Sequence, residues 1–94
     1  DKMTGETTVP VVVDFYADWC GPCKIMAPLL DDAAHRRAGQ ILFAKIDTDR
    51  NPRPAPRCGI RGIPTLIAFR DGKEVARRVG AVPPAELDSF LNAI

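Results

Sequence analysis

Trp19-Cys20-Gly21-Pro22-Cys23-Lys24 stands between an apolar run, Val11 to Ala17, and an amphipathic one, Ile25 to Ala34. The β-branched and aromatic run predicts a strand, and apolar residues at helical spacing predict a helix. The two cysteines therefore fall on the turn that joins them, at the helix's first turn. Backbone N–H groups at a helix start are unpaired and carry partial positive charge, so an anion placed there is stabilised. A thiolate is such an anion and is the reactive form of cysteine. The spacing predicts an exposed Cys20 at or just before the helix start and a partly covered Cys23 one turn in. One thiol can attack a disulfide and the other can resolve the mixed disulfide. The pair points to dithiol–disulfide exchange.

Upstream of the motif, Val11-Val12-Val13-Asp14-Phe15-Tyr16-Ala17 does not alternate, which predicts a strand covered on both faces, as in a parallel sheet. Asp14 interrupts it, and a buried carboxylate must stay protonated or find a partner. Downstream, Pro22 suits the first helical position, where its missing N–H costs nothing. Ile25, Met26, Leu29, Leu30, Ala33 and Ala34 make the predicted buried face. Pro28 is expected to kink this helix without ending it, and Gly39 is its predicted stop. Ile41 to Ile46 is a second apolar strand broken by one charge, Lys45. Strand, helix and strand in that order imply a right-handed parallel crossover. Asp14 and Lys45 are then expected to approach each other near the base of the helix, Lys45 offsetting part of the cost of Asp14.

The rest of the chain continues the alternation. Asn51 is expected to cap a short helix that has Pro52 at its first position. Cys58-Gly59-Ile60-Arg61-Gly62-Ile63-Pro64 reads as a loop, Thr65 to Phe69 as a third strand, and Asp71-Gly72 as a hairpin turn. Glu74 to Val79 is a fourth strand whose charges suit a sheet edge. Pro83-Pro84 opens a last helix with Leu87, Phe90, Leu91 and Ile94 on its apolar face. Asp1 to Thr8 is polar and reads as a helix remnant or a loop.

With 94 residues and a hydrophobic fraction of 46%, the chain suits one small globular domain spanning residues 1–94. A net charge of +1 gives no reason to expect a nucleic-acid partner. No apolar run approaches the roughly 20 residues that cross a membrane, and no leader peptide is expected. No Gly-x-Gly-x-x-Gly fingerprint for a dinucleotide is present. Zinc needs four ligands, and besides the three cysteines only His35 is a strong candidate. At about 1.5 Å per helical residue it lies roughly 18 Å from Cys23. No metal is expected, and His35 reads as a solvated surface residue. Cys58, the third thiol, is expected to be a small buried hydrophobe.

A βαβ unit followed by ββα around Trp-Cys-Gly-Pro-Cys-Lys resembles the thioredoxin family. The likeness includes Asp14-Phe15-Tyr16-Ala17, Ala27-Pro28, Lys45-Ile46-Asp47, Gly59 to Thr65 and Val79-Gly80-Ala81. It implies an α/β three-layer sandwich with a mixed sheet of four strands and helices on both faces. It also implies that Cys20 attacks and Cys23 resolves, with Asp14 shuttling a proton for Cys23 and Lys45 tuning it. The Ile63–Pro64 bond would be cis, and that loop would pair with an extended substrate by strand addition. Trp19, Gly21, Pro22, Gly62, Ile63, Pro64, Gly80 and Ala81 would make the surface that meets substrate. The implied function is a protein-disulfide reductase whose only redox group is the Cys20–Cys23 pair. It would act on disulfide-containing proteins in the cytoplasm and be recharged by a partner reductase. A module that only docks onto partners would need neither thiol.

Two departures stand out. Thioredoxins usually begin with another strand and helix, and only a stub precedes Val11, so an exposed sheet edge is expected. Tyr16 stands where many relatives carry Trp. The tail, Gly80-Ala81-Val82-Pro83 and then Asp88-Ser89-Phe90-Leu91, is similar to the bacterial second thioredoxin, although the zinc-binding N-terminal segment of that group is not seen in this sequence.

Overall fold

The computed structural model describes residues 9–94. The stretch read as a helix remnant or loop, residues 1–8, lies outside the described residues. Strand β1 (Val11–Tyr16) runs into helix α1 (Gly21–Arg36), then β2 (Leu42–Asp47) and the short helix α2 (Pro54–Arg57). Strands β3 (Thr65–Arg70) and β4 (Lys73–Val79) and helix α3 (Pro84–Asn92) complete the order. The four strands form one mixed sheet in the order β2-β1-β3-β4. β1 pairs in parallel with β2 and antiparallel with β3, and β3 pairs antiparallel with β4. The α/β architecture read from the sequence is the one that forms.

Central position explains the unbroken apolar run of β1. Side chains alternate between sheet faces along a strand, so Val12 with Leu66 and Ala68 face one way and Phe15 with Ile67 face the other. The first set joins Met26, Leu30 and Ala33 of α1 and Leu87, Phe90 and Leu91 of α3 in the main core. Phe15 and Ile67, on the other face, are buried as well. β2 is an edge strand among the described residues, and its Leu42 is 56% exposed.

Several boundaries and faces differ from the sequence reading. The buried stripe of α1 is Cys23, Met26, Leu30 and Ala33, a spacing that follows the 3.6-residue period and turns Ile25 to solvent. Helix α1 runs through Pro28 and ends at Arg36, with Arg37 as its C-cap, before reaching Gly39. Helix α2 begins at Pro54, not Pro52, and Arg53, not Asn51, is its N-cap. Asn51 is engaged elsewhere, its side-chain amide donating to the Asp47 carbonyl at 3.2 Å. The Asp47 carboxylate accepts the backbone N–H of Asp49 at 2.9 Å and of Arg50 at 3.3 Å, which holds those residues in a turn. The hairpin turn is where it was expected. Asp71 and Gly72 both have positive φ, 52° and 78°, the two-residue geometry that matches strand twist.

Met26 joins α1 to the segment between β4 and α3. It is fully buried, and its sulfur accepts the Val82 backbone N–H at 3.3 Å. Met26→Ala removes both packing and that contact, so it should destabilise the fold by about 2–4 kcal/mol. Urea unfolding would check this; a loss under about 0.5 kcal/mol would mean that the site refills.

Candidate active site

The site is built where the carboxyl end of β1 meets the amino end of α1. Cys20 is the N-cap of α1, with extended backbone (φ −83°, ψ 111°), and its Sγ accepts the Cys23 backbone N–H at 3.2 Å. A cysteine sulfur here, in the disulfide state, takes the place that a serine or aspartate oxygen takes at many helix starts. The first turn holds no acidic residue to oppose negative charge on that sulfur. Cys20 and Cys23 are joined as a disulfide, with Cα atoms 5.2 Å apart.

Cys20 is not exposed as its position suggested, being only 4% accessible, and Cys23 is covered almost equally. Tertiary cover accounts for this: Tyr16 and Ile63 pack against the cluster of Ala17, Cys20 and Cys23. The Ile63 carbonyl oxygen lies 3.8 Å from Cys20 Sγ. The Ile63–Pro64 bond is cis. That loop is fixed by the Gly80 N–H, which donates to the Pro64 carbonyl at 2.8 Å, and by the Thr65 hydroxyl donating to the Gly62 carbonyl. Gly80 makes this contact at φ 90°, where an L side chain is strained.

Around the disulfide, Gly21, Pro22, Gly62 and Ala81 are exposed, Ile63 and Gly80 half-buried, and Pro64 buried. Trp19 is 70% exposed and is held by its indole N–H, which donates to Asp49 at 2.9 Å. Asp49 and Met26 were not singled out as site residues from the sequence. Each acts through one long-range contact that no local pattern announces. Beside Trp19 lies a groove of about 340 Å³ lined by Thr48, Ala55, Ile60, Arg61, Gly62 and Ile63.

Asp14 and Lys45 are direct register partners across the β1–β2 pair. They form no ion pair, however. The Lys45 ammonium sits over the Tyr16 ring, 4.9 Å from its centroid, and Asp14 Oδ1 is buried without a hydrogen-bond partner. Both residues line a cavity of about 170 Å³ with Leu30, Asp31, Ala34, Phe43 and Ala44. Lys45 also lines a second cavity that includes Cys23. Burial pushes the Asp14 carboxyl from 3.8 up to about 6; Lys45 pulls it down, and Asp31 pushes it up further.

Cys58 is half-exposed, not buried, because it closes the short surface helix α2 as its C-cap. Its carbonyl accepts Arg77 Nη2 at 2.7 Å, which ties the loop to β4. His35 is exposed, and the described residues hold no group of three or more His, Cys, Asp or Glu arranged for a metal ion. No helix among them is long and apolar enough to cross a membrane.

A disulfide of two cysteines spaced by Gly-Pro and capping a helix defines a dithiol–disulfide oxidoreductase. The comparisons agree. The family model described as Thioredoxin matches residues 2–93. The thioredoxin of Allochromatium vinosum is 51% identical over 84 residues, covering 89% of this chain and 78% of that protein. Thioredoxin 1 of Synechococcus elongatus is 47% identical over 87 residues, covering 93% and 81%. The thioredoxin of Pseudomonas aeruginosa is 46% identical over 84 residues, covering 89% and 78%. The chain belongs to the thioredoxin family, and its redox group is the Cys20–Cys23 disulfide.

Two measurements follow from this geometry. The raised Asp14 carboxyl means that the folded chain holds a proton which the unfolded chain releases above about pH 4. Stability should therefore fall as pH rises from about 4 to 6 and stay lower above that. At about pH 8, Asp14→Asn should stabilise the fold by about 2 kcal/mol, and the difference should vanish near pH 4; an equal gap at both pH values would exclude titration of Asp14 as its cause. In the oxidised native protein, Cys58 should react with a thiol reagent without denaturant, and Cys58→Ala should leave no reactive thiol. Reaction only after unfolding would place Cys58 in the core.

Proposed function

We propose that this chain is a reductant of protein disulfides in which Cys20 is the attacking thiol and Cys23 the resolving one. Cys20 thiolate attacks one sulfur of the substrate disulfide, forming a mixed disulfide and releasing the other sulfur as a thiol. Cys23 then attacks Cys20 Sγ, freeing the second substrate thiol and leaving the Cys20–Cys23 disulfide. Two electrons pass from the dithiol to the substrate. The observation that carries this assignment is the hydrogen bond from the Cys23 N–H to Cys20 Sγ at the helix cap, a contact that favours negative charge on Cys20.

In this reading Asp14 accepts the proton that Cys23 must lose, because a carboxyl near 6 is closer to neutrality than an ordinary one and so better matched to a thiol. Lys45, in register beside it, tunes that acidity. Trp19, Gly21, Pro22, Gly62, Ile63, Pro64, Gly80 and Ala81 receive the substrate as an added strand. The whole chain works as one domain with no cofactor beyond its disulfide. A separate reductase restores the dithiol, and the cytoplasm, where thiols are kept reduced, is the compartment that suits this direction.

Reduction of insulin driven by dithiothreitol tests the assignment. Cys20→Ser should abolish turnover, and Cys23→Ser should accumulate a mixed disulfide through Cys20. Turnover that survives Cys20→Ser would overturn the order of attack. In stopped-flow experiments Asp14→Asn should slow the resolving step about 10- to 100-fold between about pH 6 and 9 while sparing the first attack. Unchanged resolution across that range would leave Asp14 with no part in proton transfer.

A further inference from the structure

The wall of the groove beside the disulfide holds one charged side chain, Arg61. From Thr48 to Ile63 the chain has four arginines, Arg50, Arg53, Arg57 and Arg61, against a single acid, Asp49. Asp49 is already engaged by the Trp19 indole. Arg61 lines the groove together with Trp19 and Ile63. Arg53, Arg57 and Arg61 are exposed and make no ion pair among the described residues. Arg50 reaches Asp18 at 4.0 Å and Asp47 at 3.8 Å with its side chain 78% exposed, contacts too long and too wet to hold its charge.

These arginines do not act alike. Ala55 forms part of the groove wall, and Arg53 and Arg57 lie two residues to either side of it. At about 100° per helical residue they project from the other side of α2, so they add to the field without touching a bound chain. Arg61 is on the wall itself, two residues before Ile63 in a stretch that bends at Gly62 and Ile63 ahead of β3. Arg50 adjoins Asp49, the residue that anchors Trp19.

We infer that this groove selects protein disulfides flanked by acidic side chains, with Arg61 the specificity-determining contact and Arg50 a secondary one. The inference rests on the reading of this surface as the substrate site. A guanidinium presents a planar fork to a carboxylate, and an unpaired one at a groove rim gives direct recognition. The carboxylate it meets belongs to a substrate residue within a few positions of the one that meets Ile63, since both side chains line the same groove. Rim charges of this kind act mainly on the rate of encounter and carry a strong salt dependence.

The test uses the reduced full chain and two synthetic peptides with the same intramolecular disulfide, one flanked by glutamates and the other by lysines. The rate of reduction is followed by Trp19 fluorescence. The acidic peptide should be reduced about tenfold faster at low ionic strength. That ratio should approach one at about 1 M salt, where the screening length is roughly 3 Å. Arg61→Gln should lower the ratio about threefold, and adding Arg50→Gln should lower it again. Equal rates on the two peptides at low salt would overturn the selectivity and leave the reductase reading standing. A preference that survives both high salt and Arg61→Gln would overturn the assignment to these arginines. Reduction of neither peptide would overturn the substrate-site reading and this inference with it.

Discussion

The hydrogen bond from the Cys23 amide to Cys20 Sγ is the contact on which the site depends. It exists because α1 starts just after β1 ends, so the residue that caps the helix also stands at the carboxyl end of a central strand. Pro22 has no N–H to offer, which leaves the Cys23 amide as the donor at 3.2 Å. The buried stripe of α1 then fixes the helix against β1 and β3, and with it the direction of that amide. Core packing and thiol chemistry are therefore coupled through one short turn.

Asp14 is the cost carried by this arrangement. A carboxyl with one oxygen buried and unpartnered opposes folding whenever it is ionised. Lys45 is close enough to soften that cost and too far to remove it, its ammonium resting over Tyr16 instead. A full ion pair would hold Asp14 charged and offset more of that cost. Partial compensation by Lys45 leaves the carboxyl raised to about 6, burial outweighing the nearby cation.

The parts of the site legible in the sequence were those set by short-range patterns. The turn at Cys20, the parallel crossover that opposes Asp14 to Lys45, and the Asp71-Gly72 hairpin each follow from a few adjacent residues. What sequence reasoning misread was decided by packing and exposure, in the case of Cys20 by a contact far along the chain. Cys20 is covered because a loop more than 40 residues away packs on it. Asn51 looked like a cap until the end of β2 claimed its amide. Ile25 fits an apolar pattern, but the three-dimensional stripe runs through Met26. Cys58 reads as a hydrophobe by composition and is half-exposed because it ends a four-residue surface helix.

The most direct measurement is the rate at which iodoacetamide alkylates Cys20 in the reduced Cys23→Ser, Cys58→Ala protein at neutral pH, folded and in denaturant. A serine at position 23 keeps the backbone N–H that the sulfur accepts. If the helix cap stabilises the thiolate, the folded protein should react on the order of tenfold faster than the unfolded chain. An equal or slower rate in the folded protein would mean that the cap does not activate Cys20, and the account of the site built on it would fail.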